Sequence, residues 1–237
     1  MKNLLILFVL LVTTQTFSQE ITGKELLKKA IQYHDPTTKW ETFKGTLFVT
    51  METPKNPNRD SEIQIDLPNQ VFSVKAKSGK NTSEYHINKE QIQIVFNGEK
   101  NPSEETLKKN RLSEERAKMY QNYYTYLYGL PMKLKDEGTI IHDKVVRKTF
   151  KGKQYLVLKA TYTKEVGEDI WYFYFNPKTY AMEVYQFFHD ESKNDGEYIL
   201  LTEEETINGI KMPKKRAWFM NKDHKYLGTD ILSNIKK

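Results

Sequence analysis

The sequence predicts a mostly β, α+β fold in which an antiparallel sheet of about eleven strands packs against two helical segments. Strand-length runs with period-two patterning and many β-branched or aromatic residues occupy most of the chain. Helical spacing of apolar residues is confined to residues 22–34 and 101–131. The turns between strand-like runs are too short for crossover helices, so neighbouring strands are expected to be antiparallel.

The N-terminus, MKNLLILFVLLVTTQTFSQE, has the pattern of a secretory signal peptide. One cation precedes an apolar stretch at residues 4–12, and Thr16 and Ser18 occupy the −3 and −1 positions of a cleavage site. That stretch is far shorter than the roughly 20 residues that span a bilayer, and no later segment is as apolar. We predict that residues 1–19 are a signal peptide and that residues 20–237 form one exported domain without a transmembrane segment.

The composition indicates a bacterial envelope protein. The chain has no cysteine, which excludes disulfides and a lipid attached at a cleavage-site cysteine. We predict a periplasmic location, with secretion out of the cell as the alternative. The net charge of +6 does not predict nucleic-acid binding, because charges of both signs alternate along most strands. We predict a monomer without a nucleic-acid partner and without a cofactor.

The elements follow in order along the chain. Thr22 and Glu25 have the spacing of a capping box, which predicts a short amphipathic helix that ends before Asp35-Pro36. Five strand-like runs occupy residues 43–96.

The second helical segment predicts one helix or two short ones. Pro102 suits a first helical turn, and Ser113 is a second candidate cap. Its predicted inward stripe consists of Met119, Tyr123, Tyr126 and Leu127.

Six strand-like runs follow this segment. A hairpin that turns at Asn208-Gly209 predicts Ile207 opposite Ile210, and it places Glu203 opposite Lys214.

The run IWYFYFNPKTYAMEVYQFF, residues 170–188, is about half aromatic. A four-residue turn between its two strands predicts Phe173 opposite Met182 and Trp171 opposite Val184. One predicted face is oily and turned inward, and the other carries Tyr172 and Tyr174, whose hydroxyls can bond to water. The oily face consists of Trp171, Phe173, Phe175, Tyr180, Met182 and Val184.

Three motifs resemble those of a known superfamily. They are the Asn-Pro-x-Thr turn in YFNPKTYAMEVYQF, the Gly-x-x-x-Pro hairpin in INGIKMPKKRAWF, and HDPTTKWETFKGTL near the start. Together with the layout, they resemble the half-open β-barrels of the lipoprotein-carrier (LolA/LolB-like) superfamily, and most closely its uncharacterised exported members. The resemblance implies a strongly curved sheet with helices on its concave side and a hydrophobic cavity, which receives acyl chains in the carriers. It also implies a strand arginine that holds the closed form, but no motif assigns this role to Arg59, Arg111, Arg116, Arg147 or Arg216.

We therefore predict a protein that binds or carries a lipid, an acyl chain or another hydrophobic small molecule, with no catalytic residues and no metal site. The alternative is an envelope scaffold with a filled core, because aromatic stripes are usually core; such a scaffold would dock an envelope protein partner. The predicted cavity lining consists of Trp40, Phe48, Phe72, Met119, Tyr123, Leu127, Trp171, Phe173, Phe175, Met182 and Trp218.

A hydrolase is the less favoured alternative. Four histidines have an aspartate beside them, at residues 34–35, 142–143, 189–190 and 223–224. Neighbours on a strand point to opposite faces, so a metal site would require several of these pairs to converge. The sequence also has no nucleophile elbow, phosphate-binding glycine loop or dinucleotide fingerprint.

Overall fold

One antiparallel sheet dominates the computed structural model, which describes residues 20–233; the predicted signal peptide lies outside the described residues. The sheet has fourteen strands. Thirteen of them follow the order β6-β5-β4-β3-β2-β1-β14-β13-β12-β11-β10-β9-β7, and the fourteenth, β8, also pairs with β9. The strands are β1 (Lys44–Glu52), β2 (Arg59–Asp66), β3 (Val71–Ser78), β4 (Asn81–Asn88), β5 (Gln91–Phe96), β6 (Glu99–Lys100), β7 (Thr139–Ile141), β8 (Val146–Phe150), β9 (Lys153–Tyr162), β10 (Ile170–Phe175), β11 (Met182–Phe188), β12 (Glu197–Ile207), β13 (Ile210–Met220) and β14 (Tyr226–Ser233).

The fold class is confirmed, but the number of strands is fourteen rather than about eleven. Two of the additional strands, β6 and β7, have only two and three residues. The third, β14, has eight residues and was not predicted because Gly228 and Asp230 weaken its strand pattern. It pairs with β1 on one side and β13 on the other, and so joins the two halves of the meander.

Three α-helices occur in the described residues: α1 (Gly23–His34), α2 (Glu104–Lys109) and α3 (Glu114–Gly129). The predicted capping box of α1 is present, since Thr22 accepts from the Glu25 amide at 3.3 Å and donates its own amide to the Glu25 carboxylate at 2.9 Å. The second segment forms two helices, each capped by a serine at its start, Ser103 and Ser113. None of the described helices combines the length and the apolarity needed to cross a bilayer.

The sheet is strongly curved and unclosed, and the main core lies between its concave face and the helices. Helix α1 contributes Leu26, Leu27 and Ala30 to this core, and α3 contributes a stripe of tyrosines. A smaller cluster lies on the opposite, convex face, where Tyr155, Val157, Tyr174 and Val184 pack beside Phe150 of β8. Both clusters stabilise the sheet by removing apolar surface from water.

Candidate functional site

The aromatic hairpin is formed by β10 and β11, but its register differs from the predicted one by three residues. Trp171 lies opposite Phe187, Phe173 opposite Tyr185, and Phe175 opposite Met182. The turn is longer than predicted, because the Asn176 side chain accepts from two amides of the turn, those of Lys178 and Thr179, and Tyr180 adopts a φ of 65°.

An irregularity at Glu183 then changes the faces of β11. Val184 pairs with Tyr174 and belongs to the convex cluster, so its predicted inward position was wrong. Tyr185 and Phe187 instead join the concave face. The extra residue in one strand of the pair is the physical reason, since it inverts the alternation of side chains beyond it.

Seven rings form a continuous surface on the concave side, which we call the aromatic wall. Trp171 contacts several rings of the wall: its ring centroid lies 4.9 Å from that of Phe187, 5.6 Å from that of Tyr126 and 5.9 Å from that of Phe173. The wall continues through Tyr185 to Trp218 at 6.3 Å. Its members are Tyr123 and Tyr126 from α3 and Trp171, Phe173, Tyr185, Phe187 and Trp218 from the sheet.

The aromatic wall is closed in its middle and partly open to solvent at its ends. Phe173 and Tyr185 are 0% exposed and pack within the core. Trp171 and Phe187 are half-buried, as are Tyr126 on α3 and Trp218. The rings of the middle are in mutual contact, so in this conformation the partly exposed ends are the accessible part of the wall.

Nine of the eleven predicted lining residues belong to the concave core or pack against it. Phe48 does not: it lies between two core residues of β1, Leu47 and Val49, and strand alternation turns it to the convex face. Met119 is 52% exposed on the outer side of α3. The nine are Trp40, Phe72, Leu127, Phe173, Phe175 and Met182, which are buried, and Tyr123, Trp171 and Trp218, which are half-buried.

The buried stripe of α3 differs from the predicted stripe. Tyr120, Tyr124 and Tyr128 face the sheet, and their rings contact one another at 6.0 and 5.9 Å. Their spacing of four residues places them on one helical face, and this signal in the sequence was missed. The large number of tyrosines on α3 made several stripes similar in apolarity.

A row of charged side chains crosses the concave face beneath α3. Arg216 lies directly opposite Asp230, Asp230 opposite Met51, and Met51 opposite Arg59. Direct partners in an antiparallel pair point to the same face, so these side chains form one line across four strands, β13, β14, β1 and β2. Sequence reasoning did not find this row because β14 was not predicted.

Contacts with α3 surround the charged row. Arg216 donates to the carbonyl oxygens of Pro213 at 2.8 Å and Leu127 at 3.3 Å, and its guanidinium carbon lies 3.9 Å from the Tyr128 ring centroid. Arg216 thus joins a strand to the last turns of α3. The Tyr123 hydroxyl donates to Asp230 Oδ2 at 2.8 Å. Burial raises the pKa of Asp230, while Tyr123, Arg216, Arg59 and Trp218 act in the opposite direction.

The four histidine–aspartate neighbours do not converge. His34 is buried between α1, β11 and β13, and Asp35 accepts the amides of Lys39 and Trp40, both at 2.8 Å. His189 pairs with Asp169 at 2.6 Å rather than with its sequence neighbour. Within residues 20–233, no group of three or more His, Asp or Glu side chains is arranged to hold a metal ion.

Three surface concavities, of about 510, 300 and 1130 Å³, are lined by none of the aromatic-wall residues. Phe72 borders the first and Phe48 the second, each among polar side chains. The largest lies between α1 and β8 and is lined on opposite sides by Lys28 and Arg147. The aromatic wall, not these surface depressions, is therefore the candidate site for an apolar ligand.

Comparisons with known proteins concern the family and the fold. Residues 2–235 match the model of a family of unknown function, DUF6503. No curated protein matches the chain. A DUF1329 family protein from Desulfovibrio piger has a similar structure, with a TM-score of 0.50 and 8% identity over 89% of this chain and 91% of that one. At this identity the similarity shows a shared fold alone.

Two further solved structures have TM-scores slightly below that value. One is a LolA superfamily protein from Nitrosomonas europaea, with a TM-score of 0.48 and 10% identity over 90% of this chain and 92% of that chain. The other is named for an outer membrane lipoprotein-sorting protein domain from Vibrio parahaemolyticus, with a TM-score of 0.49 and 8% identity over 89% and 91% of the two chains.

Proposed function

We propose a function for this chain, which belongs to a family of unknown function (DUF6503): it binds and carries an apolar ligand, a lipid or an acyl chain, in the bacterial cell envelope. The observation that carries this proposal is the aromatic wall, a continuous surface of seven rings on the concave side of an unclosed sheet. The predicted signal peptide and the resemblance of the sequence to the lipoprotein-carrier superfamily support the envelope location and the class of ligand.

The energetics of burial favour an apolar ligand at such a surface. Each methylene group that leaves water contributes about 0.8 kcal/mol, so one acyl chain along the wall would bind without specific polar contacts. Aromatic side chains suit ligands of variable shape, because their large surfaces lose little conformational entropy on binding.

The ligand would enter where the wall is accessible and would displace α3. Tyr123 and Tyr126 belong to α3, whereas the other wall residues belong to the sheet. A shift of α3 away from the strands therefore separates the two sides of the wall. The ring of Tyr126 packs on Trp171 at the half-buried end, so this contact is the first that an entering chain would replace.

A second candidate function is an envelope docking domain with a permanently filled core. The complete burial of Phe173, Phe175 and Tyr185 favours this candidate, since close-packed rings of this kind also occur in cores that bind nothing. The two candidates differ in whether α3 leaves the sheet.

Ligand binding is tested with the full mature chain purified without detergent. We expect mass spectrometry of an organic extract to detect co-purified lipid, and we expect the neutral fluorescent probe N-phenylnaphthylamine to bind. Trp171→Ala removes a large ring from the accessible end of the wall and should weaken probe binding about tenfold or more, which corresponds to the loss of roughly 1.4 kcal/mol of apolar contact.

The matched control is Tyr172→Ala on the same strand, because Tyr172 packs beside the convex cluster. It should leave probe binding unchanged. Circular dichroism verifies that both variants are folded, and Phe187→Ala replaces Trp171→Ala if the latter does not fold. A lipid-free wild-type protein that does not bind the probe would contradict carriage and favour the docking domain.

A further inference from the structure

The charged row defined by Arg216, Asp230 and Arg59 has no role in an apolar site. Arg216 and Asp230 are each 1% exposed, and Arg59 is half-buried at the start of β2. Charged side chains are costly to bury and are retained where they have a partner. The carbonyl oxygens that Arg216 holds explain part of its burial, but they do not explain the net charge of the row.

The row has an excess of positive charge. Two guanidinium groups accompany one carboxyl group, and among residues 20–233 neither guanidinium has a carboxylate oxygen within 4.0 Å. One positive charge thus remains even when Asp230 is ionised. Because burial raises the pKa of Asp230, protonation of this group would increase the excess further.

The row also has an excess of hydrogen-bond donors. In the described part of the chain, Arg59 Nε and Arg216 Nε are buried N–H groups without a hydrogen-bond partner, whereas Trp218 Nε1 lies beside Asp230 without a bond of good geometry. The buried hydroxyls of Tyr128 and Tyr185 are also unpartnered, whereas Asp230 Oδ1 is the unpartnered acceptor beside them. A buried donor without a partner destabilises the fold, so a group that accepts several hydrogen bonds would stabilise this region.

These groups lie close to one another and to the aromatic wall. Arg216 contacts Tyr128 and also lies close to Tyr185. Burial raises the pKa of the Tyr185 hydroxyl, and the charge of Arg216 opposes this rise. The Trp218 ring lies 6.2 Å from that of Tyr123, which is the donor to Asp230. Trp218 and Tyr123 are wall residues, so the apolar surface and the donor-rich row meet at this point.

Resting on the proposed function, we infer that the charged row is a subsite for the anionic head group of an acyl ligand, a carboxylate or a phosphate ester. Its oxygens accept from the free N–H groups of Arg59 and Arg216, and its charge balances the second guanidinium. The attached chain extends along the aromatic wall. The ligand class is therefore a lipid with one anionic head group rather than a neutral lipid.

The test compares twelve-carbon ligands that differ only in the head group. Dodecanoate, dodecyl phosphate and dodecanol are titrated against bound N-phenylnaphthylamine in the full mature chain. We expect the two anions to displace the probe at concentrations about tenfold or more below that of dodecanol. The reason is that charge-assisted hydrogen bonds to the anionic head group strengthen binding. Inorganic phosphate, which has no chain, should not displace dodecyl phosphate at the same concentration.

Arg59→Gln identifies the subsite. It should abolish most of the preference for the anions over dodecanol, whereas Arg147→Gln, on the exposed surface of β8, should keep that preference. Arg216 is left intact because it also holds two backbone carbonyls.

The outcomes separate the two proposals. Equal affinity for all three twelve-carbon ligands would overturn the head-group subsite and leave the proposed function in place. If inorganic phosphate displaces dodecyl phosphate at the same concentration, the row is a site for free anions, and the inference is overturned as well. If no twelve-carbon ligand displaces the probe, carriage of acyl chains fails, and the subsite fails with it.

Discussion

At the scale of single residues, His34 illustrates how position in the fold decides what a side chain does. Its ring lies between the carbonyl oxygen of Lys211, 2.7 Å from Nδ1, and the amide of Met182, which donates to Nε2 at 2.9 Å. Because Met182 donates, Nε2 must be unprotonated and Nδ1 carries the hydrogen. The neutral ring thus fastens the end of α1 to β13 and to the residue that begins β11.

This arrangement predicts a pH-dependent stability. Burial lowers the pKa of His34 from its usual 6.5; the charges of Lys211 and Arg216 act in the same direction, and the carbonyl of Lys211 and the charge of Glu204 oppose it. The unfolded chain then binds a proton more readily than the folded one below pH 6.5. We expect the free energy of unfolding to be level above this pH and to fall below it, by at most about 1.4 kcal/mol per pH unit for this group.

Urea denaturation at several pH values measures this dependence. His34→Gln retains one donor and one acceptor without titrating, so it should reduce the slope below pH 6.5. His86→Gln, at an exposed position on β4, should keep it. An unchanged slope in His34→Gln would show that other groups cause the pH dependence.

At the scale of elements, the helices and hairpins that were predicted correctly are those whose ends carry local signals. The capping box starts α1 at the expected residue, and the Asn208-Gly209 turn gives the expected register, with Ile207 opposite Ile210 and Glu203 3.6 Å from Lys214. These features depend on residues within a few positions of one another. The β10–β11 register failed because it depends on an extra residue inside the strand pair.

The cap of α1 provides a prediction for an element. Thr22→Ala removes the side-chain acceptor for the Glu25 amide, and we expect it to lower the free energy of unfolding by about 1 kcal/mol. Thr37→Ala, at an exposed position after α1, is the matched control and should change stability by less than about 0.5 kcal/mol. Equal effects in urea denaturation would mean that the cap contributes little to the stability of the whole protein.

At the scale of the whole molecule, β14 determines the architecture. It pairs with β1 and β13 and so converts two consecutive meanders into one continuous curved sheet. It also supplies Asp230 to the charged row. Without β14, the inner edges of both halves would have unpaired backbone groups, which promote aggregation.

A truncation tests this role. A chain of residues 20–225 lacks β14, and we expect it to lose cooperative unfolding and to aggregate in size-exclusion chromatography. A chain that lacks only residues 234–237, which lie outside the described residues, is the control and should behave like the wild type. A monomeric Lys225 truncation with a cooperative thermal transition would contradict the architectural role of β14.

The sequence by itself determined the properties that arise from neighbouring residues: the mostly β class, the caps of α1 and α3, the antiparallel meander and the place of nine of the eleven proposed lining residues in or against the concave core. Tertiary structure alone decided which strand joins the two halves, which residues of β11 face inward, and that Arg59, Arg216 and Asp230 lie in one row. The physical reason is that period and turn chemistry act within a few residues, whereas strand pairing depends on partners far apart in the chain. A side chain acquires its final surroundings only when those partners are in place.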